Sequence, residues 1–339
     1  MGQASLCGVV LMRSPFISYY HLRQMLAKLR FLKYLFANWQ TVQTSLRASD
    51  DPIALHFRSG QDVSISRSLL QYLLSSLYDG DTDISKVKFE DGKIWIGDMG
   101  FRPLDSNPYL ELLLASGWRL EEDFIVKDNV RFFLNGAYSI IYETFERAVH
   151  WKVVEGREVV DVGASIGDTA VFFALNGASR VLAFEPLPSV YAIARRNILA
   201  NHLQDKVKLY NCGVSTAVKE YSVPLQIDID ASGTFSPHPS GGGYKIEAIS
   251  LSQLLSLSAD PYLLKLDCEG CEYSVVLGDY SSVRDFEVVE LEYHALTVGR
   301  SVNSIINIMK KDYKVILNSN AQGSDIHLNG LLYCIKRTS

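Results

Sequence analysis

The chain of 339 residues is notable first for what it lacks. No apolar run approaches the ~18–20 residues that a membrane-spanning helix needs, which excludes a transmembrane helix. The short apolar stretch 6–12 has no basic lead-in and is cut by Arg13 and Pro15, so a secretory signal is not expected. Five cysteines, an odd number, do not make a disulfide framework in a chain this long, and a reducing cytoplasm is the expected setting. A hydrophobic share of 47% excludes a disordered or fibrous protein. There is no internal repeat and no low-complexity tract.

Acid is missing from one end. No Asp or Glu precedes Asp50, whereas Arg13, Arg23, Lys28, Arg30, Lys33 and Arg47 give residues 1–49 a charge of +6. Taking this from the chain total of −5 leaves −11 for the remainder. A basic head on an acidic body is suited to meeting something anionic. Leu22, Met25, Leu26, Leu29, Leu32, Phe36 and Trp39 recur at helical spacing. Two readings follow: a helix packed on its own protein, or a peripheral membrane contact through residues 19–40 with cations toward lipid phosphates.

Residues 50–138 read as a small mixed α+β module. Segments 53–57 and 63–65 flank a turn, and 86–89 and 93–96 flank Glu90-Asp91-Gly92, whose Asp-Gly is a hairpin signal. From residue 139 onward strands and helices alternate. Strands are expected over 159–162, 180–184, 206–210, 262–266, 287–291, 313–317 and 331–335, with helices over 169–175, 189–201 and 302–310. That alternation predicts a parallel, doubly wound sheet. The last two strands are joined by a polar loop with no room for a helix, so they should form an antiparallel hairpin. The expected architecture is α/β, a Rossmann-like seven-stranded sheet with a terminal antiparallel hairpin, over residues 139–339.

The most informative segment is Asp161-Val162-Gly163-Ala164-Ser165-Ile166-Gly167-Asp168-Thr169. A strand ends in an acid, a glycine turn follows, and a helix begins. Such a turn gathers backbone N–H groups and a helix N-terminus, which favours an anionic ligand group, and its glycines allow close approach. The dinucleotide register G-x-G-x-x-G fails, because Ser165 and Asp168 stand at its second and third positions. Glu185 closes the next strand, 22 residues after Gly163, where a carboxylate can accept ribose hydroxyls. Pro186 and the turn Asn211-Cys212-Gly213 join these as expected cofactor-binding residues.

A second constellation, Lys265-Leu266-Asp267-Cys268-Glu269-Gly270-Cys271-Glu272, lies where the fourth strand turns into its helix. Ligands in open α/β sheets sit beyond the carboxyl ends of strands, so Asp267 should face the same crevice as Gly163 and Glu185. Glu269 and Glu272 would equally complement a helix N-terminus. The Cys268-x-x-Cys271 pair lacks a second pair for zinc, and its flanking carboxylates oppose a reactive thiolate, so the spacing is read as chance.

Asp161–Thr169, Ala183-Phe184-Glu185-Pro186, Asn197 to Asn201, Lys265–Glu272 and Glu290-Leu291-Glu292-Tyr293-His294 together resemble the FkbM family of methyltransferases. The resemblance runs from about residue 139 to the C-terminus. Ser165 stands where many members have Asn, and Cys268 and Cys271 where small or apolar residues are usual. The resemblance implies S-adenosyl-L-methionine as methyl donor and a hydroxyl acceptor on a saccharide, glycan or related small molecule.

Methyl transfer is an in-line displacement that needs alignment, exclusion of water and a base for the acceptor proton. Asp267, Glu269 and His294 are the candidates for that base. If Asp267 serves the cofactor's cationic end, His294 is left for the role. Asp267 and Glu269 could hold a metal, but the sequence offers no clear third ligand, and none is expected. The glycine- and proline-rich loop 232–244 is a candidate acceptor lid. The absence of an Asn/Asp-Pro-Pro-aromatic motif argues against adenine or amide-nitrogen methylation. The acidic body argues against nucleic acid as partner. A methyltransferase acting on RNA or protein, and a non-enzymatic tethering module using the basic head, remain alternatives.

Overall fold

The computed structural model describes residues 15–48, 51–79, 81–134, 136–216, 220–223, 244–318 and 329–338. The stretch 6–12 lies outside them, as does the expected lid loop apart from Tyr244.

Seven strands form the central sheet: β1 (Glu158–Val162), β2 (Arg180–Phe184), β3 (Val207–Tyr210), β4 (Leu263–Leu266), β5 (Val288–His294), β6 (Tyr313–Asn318) and β7 (Asn329–Lys336). Their order is β3-β2-β1-β4-β5-β7-β6. The first five are mutually parallel, and β7 inserts antiparallel between β5 and β6. β1 and β4 are buried throughout, as strands covered on both faces must be. After β1 the chain moves toward β2 and β3, and it later returns to β4 on the other side. The strand order therefore switches between β1 and β4, where a crevice opens at the carboxyl ends.

Alternation along β1 divides the core. Val159 joins α1 (Asp168–Leu175) and α2 (Pro188–Ala200) on one face. Val160 and Val162 join α3 (Cys271–Gly278) and α4 (Asn303–Met309) on the other.

Among the described residues, hydrophobic packing breaks between Phe101 and Leu113, whereas the alternation of strands and helices begins near 139. Leu113, Trp118, Ile125, Phe132 and Ile141 share the cluster of the α1/α2 face. The reason is in α2. Asn197 Oδ1 accepts the Phe133 N–H at 2.8 Å, while Asn201 accepts the Arg131 N–H at 3.0 Å and donates to the Arg131 carbonyl at 2.7 Å. Two asparagines one helical turn apart thus pair a strand onto a helix.

Residues 32–101 form a separate cluster. The helical stripe expected over 22–39 is two helices, Pro15–Leu35 and Trp39–Ala48. The break is tied to the hairpin Ile53–His56/Asp62–Ile65. The Ala37 N–H donates to the His56 carbonyl at 2.7 Å, and Asn38 exchanges two hydrogen bonds of 2.9 Å with Ala54 and His56. Leu32, Leu35 and Phe36 are buried in this cluster, with the Phe36 ring 5.0 Å from Phe57. These three side chains are spent on the protein's own core and are not available to a lipid surface. Among the described residues, no helix is long and apolar enough to cross a membrane.

Candidate functional site

β1 ends at Val162, whose carbonyl accepts the Asp267 N–H at 3.1 Å, so the loops after β1 and β4 start side by side. Gly163 has φ +83°, and a Cβ there would lie 1.7 Å from the Asp267 carbonyl oxygen. Only glycine fits. Gly167, at φ +81°, caps α1 against Ala194 of α2. Ser165, a non-glycine at φ +47°, turns its N–H to Glu185 Oε2 at 3.0 Å, and Leu187 N–H donates to Glu185 Oε1 at 2.8 Å. Each carboxylate oxygen of Glu185 thus takes one backbone donor and keeps accepting capacity. Burial pushes Glu185 up to about 8, against the pull of those two hydrogen bonds. Asn211 Nδ2 buttresses this corner, donating to the carbonyls of Glu185 and Pro186 at 2.9 and 3.0 Å.

Beneath the loop runs a row of buried charge. Asp161, Lys265 and Glu290 are cross-strand neighbours on β1, β4 and β5, and all three are buried. Lys265 Nζ lies 3.1 Å from Asp161 Oδ1 and 3.5 Å from Asp267 Oδ2, and donates to the Gly163 carbonyl at 2.7 Å. Thr169 donates to Asp161 Oδ2 at 2.7 Å. Glu290 accepts from His150 and from the Trp151 N–H at 2.8 Å. Burial opposes the charge on Lys265, but Asp161, Asp267 and Asp168 outweigh it and raise its pKa.

The expected cofactor set is accordingly divided. Gly163, Ser165, Glu185, Pro186, Asn211 and Cys212 gather around one corner, where Cys212 is part-buried. Asp161 and Asp168 do not face open space, because their carboxylates are consumed by Lys265 and Thr169 and by the Thr144 hydroxyl at 2.6 Å. Ala164 is buried in the core, and Gly213 pairs with Ala248 in a separate parallel bridge.

The second side of the crevice is acidic. Alternation along β5 puts Glu290, Glu292 and His294 on one face, and Asp267 and Glu269 approach from the loop after β4. His294 Nδ1 lies 3.0 Å from Glu272 Oε1, which also accepts the Cys268 N–H at 2.9 Å. His294 Nε2 faces Glu269 Oε2 at 3.4 Å and Glu292 Oε1 at 3.8 Å. Burial alone would depress the imidazole. The hydrogen bond and charge of Glu272, with Glu292 and Glu269, instead hold it well above the usual histidine range. These carboxylates favour the protonated form of His294 as long as no other cation shares them. Burial pushes Glu269 up to about 7, with His294 opposing and Asp267 and Glu272 adding to the rise. Glu269 sits at φ +56°, the left-handed region, on the edge of the crevice.

Sequence reasoning assigned no role to Glu292, Lys265 or Glu143. Glu143 comes from the π-helical segment Tyr142–Arg147, and burial together with its Asp267 neighbour raises its carboxyl. The π turn is not legible in the sequence, although such turns recur at functional sites. The chance reading of the cysteine pair is overturned: Cys268 and Cys271 form a disulfide that closes the loop carrying Glu269. Their Cα atoms stand 5.4 Å apart, inside the range a bridge requires.

Residues 161–315 match the family model "Methyltransferase FkbM domain". The chain is similar to "Methyltransferase sdnD" of Sordaria araneosa at 25% identity, covering 35% of this chain and 59% of that protein. Among solved structures, it is similar to methyltransferase FkbM of Methylobacillus flagellatus KT (18% identity, TM-score 0.39, 57% of this chain and 47% of that one). It is also similar to an O-methyltransferase of Bacillus cereus in complex with SAH (12% identity, TM-score 0.34, 68% and 89%). The chain thus spans 59% of its curated relative and 47% of the first of these structures. Residues 161–315, which bear the glycine turn, Glu185 and the Lys265–Glu272 run, are thus the part of the chain that matches the FkbM family of methyltransferases.

Proposed function

We propose that this protein is an S-adenosyl-L-methionine-dependent O-methyltransferase acting on a hydroxyl of a saccharide, glycan or related small molecule. The observation that carries the cofactor assignment is the Glu185 corner. A buried carboxylate is fixed by the Ser165 and Leu187 N–H groups beside a glycine whose backbone touches the neighbouring loop. Its free lone pairs suit two ribose hydroxyls, and the part-exposed backbone at Gly163 and Ser165 leaves room for a ligand to approach closely.

S-adenosyl-L-methionine, when bound, supplies an electrophilic methyl group on a sulfonium. The chain's own residues then have three tasks. Glu185 and the 163–165 backbone orient the donor. The carboxylates beyond β4 and β5 favour a cationic donor over a polyanionic acceptor. Glu269 would take the acceptor's hydroxyl proton as the acceptor oxygen gains the methyl group and the methyl–sulfur bond breaks, S-adenosylhomocysteine being the leaving group. Its Oε2 has no hydrogen-bond partner and its side chain is about one-quarter exposed, at 26%. A positioned base of this kind contributes roughly 10²–10⁴-fold.

The acidic crevice disfavours the RNA reading, because phosphates would meet Glu143, Asp267, Glu269 and Glu292. Calorimetric titration with S-adenosylhomocysteine and NADH tests the donor: micromolar binding of the former alone, weakened in Glu185→Gln, is the expected result. Absence of binding by the wild type overturns the assignment. Transfer of labelled methyl to hydroxylated saccharides, set against RNA and peptide acceptors, then tests the acceptor.

A further inference from the structure

We propose that Asp267, Glu292 and His294 form a site for one divalent transition-metal cation at the carboxyl edge of β4 and β5. The register pairs Leu266 with Leu291, so the residues that follow, Asp267 at the end of β4 and Glu292 within β5, stand side by side. His294 lies two residues further on the same face. One donor atom from each of the three lies within 4.8 Å of the others. Ligands ~2.1 Å from a single ion at tetrahedral angles stand ~3.4 Å apart, so side-chain shifts on the order of an ångström close the set.

The support for His294 points the same way. Its Nδ1 is held by Glu272, whose side chain is fully buried and is itself fixed by the Cys268 N–H. A carboxylate behind the imidazole is the arrangement that orients metal-binding histidines, and it turns Nε2 toward the other acids. A further carboxylate oxygen stands beside the set. Glu269 Oε2 is screened from solvent, lies 3.4 Å from His294 Nε2, and accepts no hydrogen bond. An oxygen in that condition is suited to accept from a metal-bound water beside it. Lys265 is already engaged by Asp161 and the Gly163 carbonyl.

Two carboxylates and one imidazole suit manganese, iron or zinc better than magnesium. Three protein ligands also leave coordination positions open toward the crevice. An acceptor hydroxyl entering one of them would lose its proton more readily, with Glu269 alongside to receive it. The site does not depend on which acceptor is methylated.

The test is a titration of the full chain, freed of metal by chelator, with manganese chloride at neutral pH, following the free-ion signal by electron paramagnetic resonance. The expected result is uptake of one Mn²⁺ per chain, weakened at least about tenfold in Glu292→Gln and in His294→Gln. Glu272→Gln, which removes only the support, should weaken uptake by roughly 10–100-fold. Glu287→Gln, whose side chain pairs with Arg157 at the surface, should leave it unchanged. Absence of uptake at millimolar Mn²⁺, with a proton on Nε2 filling the space instead, overturns the proposal, as does uptake insensitive to both ligand substitutions. S-adenosylhomocysteine calorimetry on the same samples reports separately on the folded state and on the donor assignment.

Discussion

The Lys265 ammonium, in the middle of the sheet, lies 3.1 Å from the Asp161 carboxylate, and neither side chain reaches solvent. This pair joins β1 to β4 at the point where the crevice opens, and the same ammonium holds the carbonyl of Gly163. A buried ion pair adds little net stability relative to apolar residues, but breaking one by removing a single partner strands the other charge.

Lys265→Met should therefore destabilise the protein by ~3–5 kcal/mol. Urea denaturation followed by circular dichroism measures this. A loss below about 1 kcal/mol, the ordinary value for an exposed pair, would contradict the burial on which the argument rests.

Gly163→Ala should weaken S-adenosylhomocysteine binding by at least tenfold, because the new methyl group overlaps the Asp267 carbonyl and forces the two crevice loops apart. The positive φ alone costs roughly 1–3 kcal/mol. Gly156→Ala, also at positive φ but with open space around it, is the comparison that separates backbone strain from collision. Equal binding by the two variants would remove the steric argument.

Donor binding should strengthen with pH through the Glu185 range. Hydroxyl donors prefer the ionised carboxylate, and burial has raised that group to about 8. Affinity for S-adenosylhomocysteine is expected to rise by up to about tenfold per unit from pH 6 and to level off above 8. Glu185→Gln, which cannot ionise, should bind more weakly with a flat profile. An identical slope in that variant would assign the dependence to another group.

Stability should move the opposite way. Burial raises Asp168 to about 6, above the ~4 of an unfolded chain, so the native state binds the proton more tightly. The resulting stabilisation is complete below pH 4 and is lost as pH climbs through 6. Relative to Asp168→Asn, which still accepts the Thr144 hydroxyl, the wild type should lose on the order of 2–3 kcal/mol between pH 4 and 7. Urea midpoints of both proteins across that interval measure the difference, and parallel curves would refute it.

Much of this protein is written locally in its sequence. The alternation of strands and helices beyond residue 139, the Gly163 turn and the acid at Glu185 are short-range patterns, and the sheet uses them where the periodicities place them. The Asp-Gly turn at 91–92 likewise joins the antiparallel strands Val87–Glu90 and Lys93–Ile96. Such features follow from backbone preference and hydrophobic period, which need only neighbouring residues. What tertiary structure decided is how charge is used. Asp161 and Asp168 look like ligand-facing acids in a linear motif, yet the fold turns them inward because Lys265 and Thr144 arrive from positions 104 residues later and 24 residues earlier. Glu143, Asp267 and Glu292 meet only because a π turn and the neighbouring fourth and fifth strands deliver them to one edge. The partner of a buried charge is set by register and packing across the chain, and no local pattern encodes it.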